Sequence, residues 1–258
     1  MQRHEIIATL GPASETPDII GALADAGATI IRLNFSWQTP EKAAPYIDMI
    51  RKVALEKQVS LAIMQDLSGP RVQTETGHHL DTSATVTLTE KDVTDLIYGI
   101  SVGVEYIAIS FVGSRAPIDM VRDMINKSGS NAKIVAKIER QEALVHLDEI
   151  IEAADVVMVA RGDLGEAIPL EEVPFVQHTI ISHCKNKGKP VIVATQMLLS
   201  MTEHEKPTRA EVSDVAYAIV DGATGVMLSE ETAQGKYPVE AVAMMRRIVD
   251  CAEKHLKA

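Results

Sequence analysis

Eight short apolar runs alternate with eight longer amphipathic ones along the whole chain, and few folds accept that rhythm. The short runs are 5–10, 29–34, 60–66, 105–111, 133–138, 155–160, 190–195 and 225–228; the longer ones are 18–26, 40–57, 90–102, 116–127, 141–153, 174–187, 209–221 and 239–257. The short runs are near-continuously apolar, as strands are when both faces are buried, and the longer ones have helical spacing. Alternation of this kind over 258 residues predicts a single-domain (β/α)8 TIM barrel spanning 1–258. An open doubly wound sheet is the alternative, because strand order is not legible in one sequence. Its usual support, Gly-x-Gly-x-x-Gly after the first strand, is missing here.

Local punctuation agrees with the element boundaries. Thr16 can cap a helix that has Pro17 at its first position. Thr89 with Asp92, and Thr208 with Glu211, have capping-box spacing. Gly188 follows a Lys-rich helix end. One connection is unusually long. Residues 72–88 join the third strand to the third helix, and the Thr-rich alternation Thr82, Thr85, Val86, Thr87, Leu88 reads as a small hairpin. Loops of this length on a barrel are either functional or tolerated insertions.

Composition narrows the function. A net charge of −11 with only 3% aromatic residues disfavours nucleic-acid binding, which needs a basic face and stacking rings. No apolar run reaches the ~18 residues of a membrane span, so no membrane association is expected. The first residues have no signal-peptide pattern, and two cysteines, Cys184 and Cys251, make no disulfide framework. The expectation is a cytoplasmic protein with reduced thiols. The oligomeric state is left open, a homo-oligomer being compatible with the sequence.

The predicted strands deliver polar groups to their C-terminal ends, where barrels of this kind place their chemistry. In order these are Thr9, then Arg32 and Asn34 with Ser36 beyond, Asp66, Ser110, Lys137 with Glu139, Arg161 with Asp163, Thr195 with Gln196, and Ser229, Glu230 and Glu231. Lys137 and Glu139 are two apart and therefore share one side of their strand. Glu139 and Asp163 are hard oxygen ligands suited to Mg2+ or Mn2+. Arg32, Lys137 and Arg161 can offset phosphate or carboxylate charge. Asn34, Ser36 and Asp66 offer oxygens to a second, weakly charged cation.

Structural readings compete with each of these. Lys137–Glu139 could be an ion pair, Arg32–Asp66 a cross-strand salt bridge, Asp163 an Asx turn and Thr195 a helix N-cap. His78-His79 would sit in a loop, because neighbours on a strand point to opposite faces. Trp37 is equally consistent with packing or with a place beside the site.

The motifs at these strand ends resemble the pyruvate kinase family. They are Ile-Arg-Leu-Asn-Phe-Ser (31–36), Gln-Asp-Leu-Ser-Gly-Pro (65–70), Ser-Phe-Val (110–112), Ala-Lys-Ile-Glu (136–139), Val-Ala-Arg-Gly-Asp-Leu-Gly (159–165), Ala-Thr-Gln-Met-Leu (194–198) and Pro-Thr-Arg-Ala-Glu-Val-Ser-Asp-Val-Ala (207–216). The resemblance implies a glycolytic phosphotransferase that uses phosphoenolpyruvate, pyruvate, ADP and ATP, with Mg2+ and often K+. It implies that Lys137 stabilises an enolate and the transferring phosphoryl group, that Arg32 contacts phosphate, and that Thr195 lies near the substrate methyl group. Glu139 and Asp163 resemble the Mg2+ ligands, and Asn34, Ser36 and Asp66 three K+ ligands. The backbone of Ala160, Arg161, Gly162 and Asp163 resembles the carboxylate receptor, with Ser110 on the substrate side.

The departures from the family pattern are informative. Residues 72–88 replace a lid domain of roughly a hundred residues, and no C-terminal regulatory domain is expected after the eighth helix. Trp37 stands where a nucleotide-side histidine is usual, Gln73 where an arginine is, and Glu230, Ala167 and Leu199 also depart. The expectation is an inefficient kinase acting through a Mg-stabilised enolate. The alternatives are a Mg-dependent 2-oxo-acid lyase, a decarboxylase or aldolase, using the same enolate, and a non-catalytic binding module for pyruvate-like acids.

Overall fold

The computed structural model describes residues 4–74, 77–80 and 87–256. The first part of the chain runs β1 (Glu5–Thr9), α1 (Pro17–Ala26), β2 (Ile30–Asn34), α2 (Pro40–Lys57), β3 (Ala62–Asp66), β4 (Arg71–Thr74), β5 (Gly77–Leu80) and α3 (Glu90–Ser101). It continues through β6 (Tyr106–Ile109), α4 (Ala116–Ser128), β7 (Lys133–Ile138), α5 (Gln141–Val145), α6 (Leu147–Ala153), β8 (Val156–Ala160) and α7 (Arg161–Ala167). The last part is α8 (Val173–Asn186), β9 (Val191–Ala194), α9 (Arg209–Asp221), β10 (Gly225–Leu228), α10 (Glu230–Ala233) and α11 (Pro238–Leu256).

Eight of these strands close a barrel in the order β1-β10-β9-β8-β7-β6-β3-β2, with every neighbour parallel. This is the predicted (β/α)8 architecture, and β1 pairs with β10 to close it. Side chains alternate in and out along each strand, so the core has two shells. Ile7, Ile30, Met64, Ala108, Val135, Met158, Ala194 and Met227 fill the barrel interior. Their neighbours Ile6, Ala8, Ile31, Ile63, Ile107, Ala136, Val157, Val193 and Val226 pack outward against the helices. Parity then fixes the next inward step: Thr9, Arg32, Asp66, Ser110 and Lys137 follow the interior residues by two and face the C-terminal mouth.

The caps form as the spacing predicts. Thr16 accepts from the Ile19 amide, and both capping boxes are complete. Gly188 takes φ +64°, and the amide of Lys189 reaches back to the carbonyl of Cys184.

Three expectations need correction. The fifth helical run is broken at His146 (φ −106°, ψ 18°) into α5 and α6, although it holds no Gly or Pro to announce the break. His78 and His79 lie in a strand rather than a loop: β4 and β5 pair antiparallel from Arg71 opposite Leu80 to Thr74 opposite Gly77, whereas Thr82, Thr85 and Val86 of the Thr-rich stretch lie outside the described residues. Short helices, α7 and α10, also open the connections after β8 and β10. Among the described residues, no helix is long and apolar enough to cross a membrane.

Candidate active site at the C-terminal mouth

Lys137 is the hub of the mouth. Its Nζ donates to Asp66 Oδ1 (3.1 Å) and Ser110 Oγ (2.7 Å). It also lies 3.0 Å from Glu139 Oε1. Ser110 spends its own proton on the carbonyl of Leu67 (2.7 Å), which leaves its oxygen to accept from lysine. Asp66 receives Arg32 Nε on its other oxygen at 2.6 Å, and Arg32 Nη1 donates to Thr9 Oγ1 at 3.1 Å. Among the described residues Arg32 Nη2 makes no hydrogen bond, so one edge of the guanidinium is left for an anion. Burial alone would push the Asp66 carboxyl up, but Lys137 and then Arg32 outweigh it and hold the group at about 2. Arg32–Asp66 and Lys137–Glu139 are therefore real ion pairs.

Glu139 and Asp163 form the second cluster. Glu139 Oε2 accepts the Phe111 amide at 2.6 Å, an amide aimed inward because Phe111 takes φ +54°. Glu139 Oε1 is buried and accepts no hydrogen bond, although Lys137 is close. Burial pushes the Glu139 carboxyl up; Lys137 pulls it down, Asp163 pushes it up again, and Arg71 opposes that. An orphaned buried carboxylate oxygen with a second carboxylate nearby fits a hard divalent cation. Among the described residues no group of three or more His, Cys, Asp or Glu side chains gathers into a metal site. The protein's contribution would be these two carboxylates, with substrate oxygens and water completing the shell.

Thr195 and Gln196 follow β9 with φ +77° and +55°, a strained pair of non-glycine residues at a strand end. Arg161 holds that turn. Its Nε and Nη2 donate to the Thr195 carbonyl at 3.2 and 2.7 Å, while Nη1 pairs with Asp214 at 2.7 Å. This corrects two expectations. The Arg161 guanidinium is committed to Thr195 and Asp214 rather than to an anion in the mouth, and Thr195 is a strained turn rather than a helix N-cap. A Cβ on Gly162 would meet Thr195 Cγ2 at 3.0 Å, so glycine lets α7 start this close to the turn without displacing that methyl. The first amides of α7, which follows directly on the C-terminal end of β8, have no intrahelical partner.

Other expectations fare unevenly. Asn34 Oδ1 accepts the Ser36 amide at 3.1 Å, closing a local turn. Asp66 is already balanced by Arg32 and Lys137, so a K+ site at Asn34, Ser36 and Asp66 rests on the resemblance alone. Trp37 is 51% exposed and so is not a core residue. The side chains of Gln73, His78 and His79 lie outside the described residues. Glu231 is structural: fully buried, it accepts the amides of Leu198 (3.0 Å) and Ser229 (2.7 Å), tying the ends of β9 and β10 together.

One site residue, Arg71, was not singled out from the sequence, and Thr9 was named only as a strand-end hydroxyl. Thr9 anchors Arg32 and donates to the Leu228 carbonyl at 2.8 Å. Arg71 reaches back from β4 to place Nη2 3.2 Å from Asp163 Oδ2 and 3.8 Å from Glu139 Oε1. The parity of β1 is what places Thr9 at the mouth. Arg71 depends on the turn at Gly69 (φ +69°), where a Cβ would meet the Phe111 ring at 2.9 Å.

Comparison with known proteins agrees with this geometry. The family described as "Pyruvate kinase, barrel domain" matches residues 1–87 and 79–242. A pyruvate kinase from Sporosarcina psychrophila is 38% identical over 331 residues, covering 96% of this chain and 56% of the relative. Pyruvate kinase 2 of Synechocystis is 34% identical over 337 residues (98% and 57%), and a Mycobacterium tuberculosis pyruvate kinase 33% over 337 (100% and 71%). The chain thus spans a little over half the length of the first two. Alignments of 331 and 337 positions also exceed its 258 residues, so the relatives hold residues inside the matched region that this chain lacks. With the barrel, the strand-end cluster and these matches in agreement, the chain belongs to the pyruvate kinase family.

Proposed function

We propose that this barrel binds a three-carbon 2-oxo or enol acid through a divalent cation and transfers a phosphoryl group between phosphoenolpyruvate and ADP, inefficiently. The observation that carries the reading is Lys137, buried and aimed at the mouth among Asp66, Ser110 and Glu139. A lysine held this way presents its ammonium group where negative charge develops on an enol oxygen, and it needs no rearrangement to do so. Arg32 presents its remaining edge to phosphate. The amides at the start of α7 receive the carboxylate, and Thr195 stands against the methyl group. Glu139 and Asp163 would hold Mg2+ or Mn2+, which supplies Lewis-acid polarisation of the substrate oxygens. K+ near Asn34, Ser36 and Asp66 remains part of the proposal only through the resemblance.

The nucleotide side is the weaker half. Residues 72–88 stand where relatives of the family place a lid, and Trp37 and Gln73 depart from the family pattern. Phosphoryl transfer depends on positioning and on exclusion of water, whereas an enolate can form on the barrel's own groups. ADP is therefore expected to bind with a dissociation constant of about 1 mM or weaker, about −4 kcal/mol. Titration calorimetry checks this, and micromolar ADP affinity would contradict the asymmetry.

The same enolate site supports a second reading, a Mg-dependent 2-oxo-acid lyase. A turnover assay with phosphoenolpyruvate, ADP, Mg2+ and K+ separates the kinase from the lyase. Exchange of pyruvate methyl protons in D2O separates both from a non-catalytic acid-binding module.

A further inference from the structure

The guanidinium of Arg71 stands between the two carboxylates that the proposed function assigns to the divalent cation. Its Nη2 is 3.2 Å from Asp163 Oδ2 and 3.8 Å from Glu139 Oε1. The side chain is only 10% exposed. Its Nε donates to the Ser68 carbonyl at 2.9 Å, and its carbon lies 4.7 Å from the centroid of the Phe111 ring. The guanidinium is thus held on a carbonyl, an aromatic face and an ion pair at once. The backbone of this arm is fixed as well: Gly69 donates to Asp92 Oδ1 at 3.0 Å, and Arg71 N to the Gly69 carbonyl at 2.9 Å.

We infer that Arg71 is a tethered counter-cation that occupies the divalent-cation position and must leave for the metal to enter. Two carboxylates facing each other across the mouth repel, and a cation between them offsets that repulsion. A guanidinium and a hard divalent ion cannot share the same pair of oxygens, because the metal needs those lone pairs at bonding distance. Metal binding then competes with Arg71, and the apparent affinity falls by the fraction of molecules in which the arm is open. Arg71 is also the first residue of β4, so its release changes the packing of the β4–β5 hairpin where that hairpin leaves the barrel. The metal site and the hairpin are in this way coupled through one side chain. The inference rests on the assignment of Glu139 and Asp163 as the metal pair.

The test is Mn2+ binding to the full chain, followed by calorimetry and by the paramagnetic signal of free Mn2+, in wild type, Arg71→Met, Arg71→Lys and Glu139→Gln. Circular dichroism confirms folding of each. Arg71→Met is expected to bind Mn2+ about tenfold tighter or more, the factor for an arm that leaves the site open in a tenth of molecules or fewer. Arg71→Lys should fall between the two. Hydrogen exchange of the Arg71–Thr74 amides should change on adding Mn2+ to wild type and not in Arg71→Met. Wild-type binding with equal or weaker binding in Arg71→Met would overturn the competition while leaving the metal pair standing. No Mn2+ binding in either protein, or binding unaffected by Glu139→Gln, would overturn the metal pair itself and this inference with it.

Discussion

Replacing Lys137 by methionine is expected to lower turnover by about 100-fold or more, the scale for a positioned group that meets developing charge. The methionine keeps most of the volume and removes the cation from a site where it is only 4% exposed. In water the loss of one charge would be screened; inside this mouth it is not. The comparison that matters is kcat against KM. If Lys137 acts on the enol oxygen, kcat falls with kcat/KM, because the contact is made mainly in the transition state. If it only balances Asp66 and Glu139, stability drops and turnover per folded molecule stays near normal. Steady-state kinetics with thermal unfolding on the same preparation separates the two.

Asp66→Ala is expected to destabilise the fold by about 3–5 kcal/mol, the cost of leaving buried charges without their partner. Asp66 is the only carboxylate described on Arg32 and one of two on Lys137, and its own side chain is 2% exposed. Its pKa is lowered from 3.8 to about 2 in the folded protein. The ionised carboxylate therefore contributes stability in full above about pH 4, and that contribution is lost as the pH falls through about 2. The shift corresponds to about 2 kcal/mol. Urea unfolding at neutral pH and near pH 3 should show the gap between wild type and Asp66→Ala narrowing on acidification. A gap of constant size would mean that the ion pairs are not what Asp66 contributes.

Much of this architecture is legible in the chain because strand parity is a rigid rule. An apolar body followed by a polar residue on the inward step, as in Met64–Asp66 or Val135–Lys137, points to the mouth whatever the partner strand is. Capping boxes are equally legible, since both partners lie within four residues. What was not legible depends on contacts between distant segments. The break at His146 carries no Gly or Pro. Arg161 looks like an anion binder until Asp214, 53 residues away, is seen to hold it. Arg71 looks like an ordinary loop charge until the turn at Gly69 brings it back to Asp163, 92 residues on. Thr195 is a strand-end hydroxyl in sequence, and only the backbone shows that it sits in a left-handed conformation held by an arginine fork.

The central claim is that two carboxylates at the ends of β7 and β8 present a divalent cation to a 2-oxo acid beside Lys137. Calorimetry of oxalate binding with and without Mg2+, in wild type, Glu139→Gln and Asp163→Asn, tests it most directly. The account predicts oxalate binding that requires Mg2+ in wild type and is lost in both folded variants. Oxalate binding that ignores Mg2+, or that survives both substitutions unchanged, would contradict it.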